Sequence, residues 1–526
     1  DLEIAGDDAR RRATAILGQL EVELGPVAGW PRLEITDAPR IPRRGVMLDV
    51  SRDRVPSMDA LRQRIPLLAA VGFDHLQCYT EHAFAYAGCE AVWGDASPIT
   101  PEELRTLDGV AADCGVELAA NQNCFGHLHR WLAVPAFSPL AETHGTFDFF
   151  GVPRQGPFSL CPTDPASLEF VRRRLEELLP CVRSPLVNIG CDETADVGTG
   201  RSAEAVSRRG KAAVERAFTA AIAGVVRDLG RTPMFWADMA LREPEGIAEL
   251  PPDLVALAWG YEDDDRIADA ARTLSDLGRR FWTCPGTASW RSLAGRPAER
   301  RGNLRRAAAA AVRHGGGGML VTDWGDCGHR QPWIVSLHAL GEAAALAWDP
   351  EDPEDGRDEA IARHLLGQPT GDLGPWLRAV GDADLAIRRR GGEGGGHLHN
   401  ASALFEDLHP SGLPTALPPA AGPWMEVVDR LEELATRRPR VVGDDLAADV
   451  DHLLETVGFA ARRAAWRRDA AARRDPARRR DLAARLEAVL QGHDRMWSRD
   501  ARPGGGPSAR RWWTDPEVAS LKPPRG

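Results

Sequence analysis

Short apolar runs alternate with amphipathic stretches from about residue 44 to residue 348. The runs at 45–50, 75–80, 116–122, 186–191, 233–236, 254–259, 280–284 and 318–322 read as strands. Most are continuously apolar, as strands covered on both faces must be. Eight such runs are what a closed parallel barrel needs. No glycine-rich phosphate loop follows the first, which favours a closed (β/α)8 TIM barrel over an open doubly wound sheet. Helix starts lie between the runs: Thr100-Pro101-Glu102-Glu103 is a capping box with proline at the first helical position, and Asp164-Pro165 opens a helix reaching residue 179.

The pattern changes on both sides of this region. Residues 1–40 predict one helix over 8–24 and a strand over 32–36, a short N-terminal α/β segment ahead of a barrel at 41–350. Beyond Asp349 the strand signal stops. Proline- and glycine-rich connectors, among them the tract 391–396, separate helical stretches at 424–437, 444–474 and 476–497, so residues 351–526 predict an all-helical C-terminal domain. That domain is a candidate for packing on the barrel or for a homodimer interface. Residues 501–506 read equally as an ordered turn leading to Trp512-Trp513 or as a tail.

Composition narrows the function classes. A chain of 526 residues exceeds one ordinary core, and 43% hydrophobic with 27% charged residues describes a globular protein. The net charge of −12 argues against nucleic acid as a partner. No apolar run approaches the ~20 residues needed to cross a bilayer, so no membrane is expected. The nine cysteines are scattered without a CxxC pair, which together with a start lacking a secretory pattern predicts reduced thiols in a cytoplasmic protein. Only two of the 65 basic residues are lysine, a bias of composition that singles out no phosphate site. The arginine-rich stretch 462–485 alternates with alanine and acid at helical spacing, as a solvated helix face does.

Barrels of this kind place their chemistry at the C-terminal ends of the strands. There the sequence collects acids and tryptophans: Glu81-His82, Asn121-Gln122-Asn123 with Gly126-His127, Asp192-Glu193, Trp236-Ala237-Asp238, Trp259-Gly260-Tyr261, Trp290 and Trp324-Gly325-Asp326. Indole faces and carboxylates are the usual furniture of a sugar site. Taken singly, a tryptophan is more often core and an Asp-Glu pair more often a surface loop. Asp192-Glu193 stands out because it closes a buried strand. Successive strand residues alternate sides, so both carboxylates reach one substrate only if the chain turns there, and Gly190 and Thr194 leave room for a turn.

These residues also resemble a known family. Asn188-Ile189-Gly190-Cys191-Asp192-Glu193 is similar to the His/Asn-x-Gly-x-Asp-Glu signature of glycoside hydrolase family 20, the β-N-acetylhexosaminidases. Arg44-Gly45-Val46-Met47-Leu48-Asp49, Gly126-His127 and Trp324-Gly325-Asp326 resemble three further blocks of that family, in the same order. The resemblance implies an exo-acting retaining enzyme that removes terminal N-acetylglucosamine or N-acetylgalactosamine from an oligosaccharide or glycoconjugate. The substrate's 2-acetamido oxygen would attack, forming an oxazolinium intermediate, with no metal and no other cofactor. Glu193 would be the acid/base and Asp192 the residue that steers the acetamido group. Arg44 would bind the 3- and 4-hydroxyls, Asp326 the 4- and 6-hydroxyls, and His127 would support the acid or a hydroxyl. Trp236, Trp259 and Trp324 would line the pocket, with Trp290 beside them. The chain departs from the family at the seventh strand, where Phe281-Trp282-Thr283-Cys284 replaces a tyrosine that bonds the acetamido oxygen. Tyr261 is the candidate substitute. Two other readings are a non-catalytic sugar-binding relative and a metal-dependent barrel hydrolase drawing on Glu81, His82, His127, His129 and Asp192.

Overall fold

A computed structural model describes residues 7–25, 34–390, 398–408 and 417–513. Eight parallel strands close into a barrel: β1 (Arg44–Asp49), β2 (His75–Thr80), β3 (Glu117–Gln122), β4 (Leu186–Asn188), β5 (Thr232–Trp236), β6 (Val255–Trp259), β7 (Phe281–Cys284) and β8 (Gly318–Asp323). Closure rests on β1, which pairs with both β2 and β8, so that Leu48 faces Cys78 on one side and Asp323 on the other. The continuous apolar runs do what that pattern predicts: every residue of β1, β2 and β8 is buried. The (β/α)8 TIM barrel expected from the strand spacing is therefore the fold.

Local signals hold at the helix starts. Thr100 and Glu103 form the reciprocal capping box, and Asp164 caps the helix Pro165–Leu178 through the Ala166 amide. The stretch expected as one helix over 444–474 is two, Asp444–Arg468 and Ala470–Arg474, because Asp469 turns extended and caps the second with its carboxylate. Near the N-terminus the helix spans Asp7–Leu24. No strand forms at 34–36, the described part of the expected 32–36; residues 32 and 33 and the tract 391–396 lie outside the described residues. An isolated strand there would have no neighbour to complete its hydrogen bonds. None of the nine cysteines is in a disulfide, and seven of them are buried.

The helical C-terminal region braces the barrel on its active face. The helix Pro476–Asp500 ends against the loop that follows β1: the Ser57 amide donates to the Asp500 carbonyl at 2.9 Å and the Arg502 amide to that of Val55 at 2.9 Å. The turn at 501–506 is ordered, and Gly505 (φ +76°) lies so close to Asp53 that a Cβ would overlap its carbonyl oxygen. Arg291 of the loop after β7 pairs with Glu406 at 2.6 Å. Among the described residues, no helix is long and apolar enough to cross a membrane.

Candidate active site

The site is built on a sharp turn after β4. Gly190, Cys191 and Glu193 all have positive φ, at +69°, +73° and +50°. That breaks the strand at Asn188 and brings Asp192 and Glu193 to the same side. Gly190 is required twice over, because a Cβ there would lie 2.4 Å from Asn123 Oδ1 in a backbone region that L residues avoid. Asn123 repays that closeness by donating to Asp192 Oδ1 at 2.8 Å.

His127, itself at φ +57°, sits over both acids. Its Nε2 is 3.4 Å from Asp192 Oδ2 and 3.4 Å from Glu193 Oε2. Burial alone would depress this imidazole, but Asp192 and then Glu193 outweigh it and hold the pKa up to about 10. Burial likewise opposes ionisation of Asp192, yet the His127 cation and the Asn123 amide hold it below the usual carboxylate value. Asp192 is thus an anion at neutral pH. Asp238, after β5, accepts the Glu193 amide at 3.2 Å. Burial, with the charges of Asp192 and Glu193, pushes its pKa up to about 8, so this carboxyl stays protonated.

A second cation faces the pair across the barrel mouth. Arg52, three residues beyond β1, lies 3.0 Å from Asp49 Oδ2, 3.2 Å from Glu81 Oε1 and 3.8 Å from Asp326 Oδ1. Its guanidinium is held between the rings of Tyr79 and Trp324, at 4.8 and 4.9 Å from their centroids. Tyr79 donates to Glu81 at 3.0 Å. Opposite, Trp259 and Tyr261 stack at 5.2 Å, and Trp324 Nε1 donates to the Tyr261 hydroxyl at 2.7 Å. Burial raises the Tyr261 pKa well above its ordinary value, so the phenol keeps its proton. A cluster of carboxyl groups, the two cations His127 and Arg52 and a wall of rings therefore share one mouth, an arrangement suited to a polyhydroxylated ring that carries an amide.

Residues 94–283, which run from ahead of β3 into β7 and include the Asp192-Glu193 turn, match the family model "Glycosyl hydrolase family 20, catalytic domain". Over that stretch the barrel is similar to the catalytic domain of glycosyl hydrolase family 20. A beta-hexosaminidase of Akkermansia muciniphila is 26% identical over 263 residues, 45% of this chain and 52% of that protein. Hexosaminidase D of Homo sapiens is 26% identical over 218 residues, 40% of this chain and 43% of that protein. The chain thus spans about half the length of the curated relatives it matches. A crystal structure of a beta-N-acetylhexosaminidase has the same fold, with a TM-score of 0.53 at 20% identity over 69% of this chain and 83% of that one.

Within this barrel most residues singled out from the sequence converge, and two do not. Arg44 is the first correction. It opens β1 and so lies at the opposite end of the barrel, where it binds Asp74 at 2.5 Å and the Gly72, Ile41 and Pro42 carbonyls. The residue that reaches the mouth is Arg52, and the register gave the signal: the strand runs upward from Arg44, so only residues beyond Asp49 reach the active face. Trp290 is a second correction, because it is fully buried and touches the mouth only through Tyr261, edge-on at 5.0 Å. Trp236, also almost wholly buried, lies 5.9 Å from Trp324 beneath the mouth. Trp259, Tyr261, Trp324 and Asp326 are at the mouth itself. Glu81, to which the family resemblance assigned no role, links Arg52 to His127. Sequence reasoning missed Asn123 and Asp238 as partners of the acids, although both ended strands on the correct face. Ligand atoms of His127, Asp192 and Glu193 lie within 4.8 Å of one another, close enough to share a cation. The other two histidines of the metal-hydrolase reading do not join them: burial holds His82 near a pKa of about 3, and His129 bonds the Pro157 carbonyl at 3.1 Å.

Proposed function

We propose that the protein is an exo-acting, retaining β-N-acetylhexosaminidase that works by substrate-assisted catalysis. The observation that carries this reading is the unequal environment of two adjacent acids. Asp192 is held as an anion by Asn123 and His127, while Glu193 reaches out from a turn whose amide rests on the neutral Asp238. No second carboxylate is needed as a nucleophile when the substrate brings its own acetamido oxygen.

In this account Glu193 protonates the glycosidic oxygen as the bond to the leaving group breaks. The acetamido carbonyl oxygen closes on the anomeric carbon, and Asp192 accepts the amide N–H and stabilises the positive charge that develops on nitrogen. Glu193, now ionised, takes a proton from water as it opens the oxazolinium ring, which returns the anomeric configuration to β. Tyr261 keeps its proton and donates to the acetamido oxygen in place of the tyrosine missing at β7. Arg52 and Asp326 bond the sugar hydroxyls, and Trp324 and Trp259 cover its apolar face. His127 and Glu81 couple the acid pair to Arg52. The free thiols support a reducing, cytoplasmic setting.

A thiazoline analogue of the ring-closed intermediate tests the mechanism. It should inhibit competitively, and far more tightly than N-acetylglucosamine itself. Inhibition no better than that by the free sugar would rule out the acetamido as nucleophile.

A further inference from the structure

Above the acid pair, the loop between β3 and β4 folds into the hairpin Thr146–Phe149/Val152–Gln155, in a segment the sequence showed only as a long loop. Its tip is apolar and open to solvent, with Phe150 and Val152 exposed. Two guanidinium groups rest on its rings. Arg154 lies 4.8 Å from the centroid of Phe149 and 4.5 Å from that of Phe158, and Arg242, from the turn Ala240–Arg242 after β5, lies 4.9 Å from that of Phe150. Phe158 in turn meets His127 edge-on at 4.8 Å, and His127 is 3.4 Å from Glu193. Arg154 is therefore two ring contacts from the acid, and of the charges acting on it that of Glu193 is the strongest.

Among the described residues, neither of these two guanidinium groups has a hydrogen bond or ion pair. In a chain of net charge −12 carboxylates are plentiful, and nearby arginines have taken them: Arg201 pairs with Asp164, and Arg216 with Glu243 and Glu249. A guanidinium stacked on a ring keeps its N–H edge free and pre-aligned for a planar or tetrahedral oxyanion. Two such edges next to exposed phenyl faces make a surface for a sugar that carries a negative charge. Its position assigns the subsite: if Glu193 protonates the leaving oxygen, whatever flanks Glu193 on the solvent side flanks the leaving group. The pocket for the cleaved sugar takes its cation from β1 and its rings from β6 and β8, whereas this surface comes from the β3–β4 and β5 loops.

We propose that Arg154 and Arg242, with Phe149 and Phe150, form a leaving-group subsite selective for an aglycone bearing an oxyanion, either a uronic-acid carboxylate or a sugar phosphate. The inference rests on the hexosaminidase reading above, and the test separates the two. Three disaccharides with the same β-linked N-acetylglucosamine are compared, on glucuronic acid, on glucose 6-phosphate and on glucose. At low salt the wild type should favour at least one acidic disaccharide by about tenfold or more in kcat/KM, as charge-assisted bonds imply. The favoured acid identifies the source of the oxyanion. The preference should shrink at 1 M salt, where the screening length falls to about 3 Å. In the R154Q/R242Q double variant the acidic-to-neutral ratio should fall to about one. Any change in Glu193 caused by removing a nearby charge cancels in that ratio, because both substrates need the same acid. A ratio near one in the wild type, or a preference that survives the double variant, overturns the proposal. So does a preference for charge on the cleaved sugar alone, read with an aryl N-acetylglucosaminide 6-sulfate. If no N-acetylhexosaminide is turned over, the hexosaminidase reading fails, and tryptophan-fluorescence titration with glucuronic acid and with glucose decides the subsite. Binding of the acid alone, lost in the double variant, upholds it; equal titrations overturn it.

Discussion

Two arginines eight residues apart, Arg44 and Arg52, lie at opposite ends of one strand and should behave differently when replaced. The strand between them spans roughly 17 Å, from five steps of about 3.3 Å each, so no monosaccharide at the mouth reaches Arg44. Arg44→Met removes a guanidinium that bonds Asp74 and three carbonyls, with Asp74 itself partly exposed. That should lower stability by about 1.5–3 kcal/mol, the worth of a charged hydrogen bond, and leave kcat/KM of the folded protein within about threefold. Arg52→Met leaves the buried Asp49 and the half-buried Glu81 without their shared cation. Stripping one partner from a buried pair costs about 3–5 kcal/mol of stability. Losing even one charged bond to a sugar hydroxyl, about 1.5–3 kcal/mol, lowers kcat/KM by about 10- to 160-fold. Urea denaturation gives the stabilities, and initial rates on 4-nitrophenyl N-acetylglucosaminide, taken well below each midpoint, give kcat/KM. A tenfold loss of kcat/KM in fully folded Arg44→Met, or an unchanged value in Arg52→Met, would refute the placement of both.

Three further outcomes are expected from the geometry of the turn after β4. Glu193→Gln should keep substrate binding, measured by fluorescence titration, while hydrolysis drops by about 10²- to 10⁴-fold, the usual worth of a general acid–base; an unchanged rate would remove Glu193 from the mechanism. Gly190→Ala places a methyl group on Asn123 at positive φ, at a cost of roughly 2–5 kcal/mol from the strained backbone and the overlap together, so the urea midpoint and kcat should fall together; a fully stable, fully active variant would show that the turn tolerates a side chain. Asp238 carries a folded pKa raised from 3.8 to about 8, so the folded state holds the extra proton and the stability this gives is present below 3.8 and lost as pH rises through about 8. Asp238→Asn can accept the Glu193 amide without titrating, so its stability should decline less than that of the wild type between pH 5 and pH 9, and parallel curves would mean that Asp238 is ionised throughout.

The barrel was legible in the sequence because its strands are buried on both faces, and continuous apolar runs at even spacing leave few other folds. The acid pair was legible because two charges at the end of such a run need a reason. What escaped the sequence was direction and depth. Arg44 and Arg52 sit in one motif, and composition alone does not say which end of the strand faces the substrate. Trp290 and Trp259 look alike in sequence, yet one is under the mouth and the other beside it, because burial is decided by the loops that cover each ring. The hairpin at 146–155 was hidden for another reason: its antiparallel strands are only four residues each, too short for an alternating pattern to stand out. The break at Asp469 was in plain view as an aspartate flanked by helix, but alanine-rich sequence on both sides masked it.

The central claim is that the substrate's acetamido group does the work of a nucleophile, with Asp192 and Glu193 in separate roles. It is tested most directly by rates on 4-nitrophenyl β-glycosides of N-acetylglucosamine, N-acetylgalactosamine and glucose, which differ at the 2- and 4-positions alone. The account predicts turnover of at least one of the two acetamido sugars and none of the glucoside. Cleavage of the glucoside at a comparable rate would contradict it.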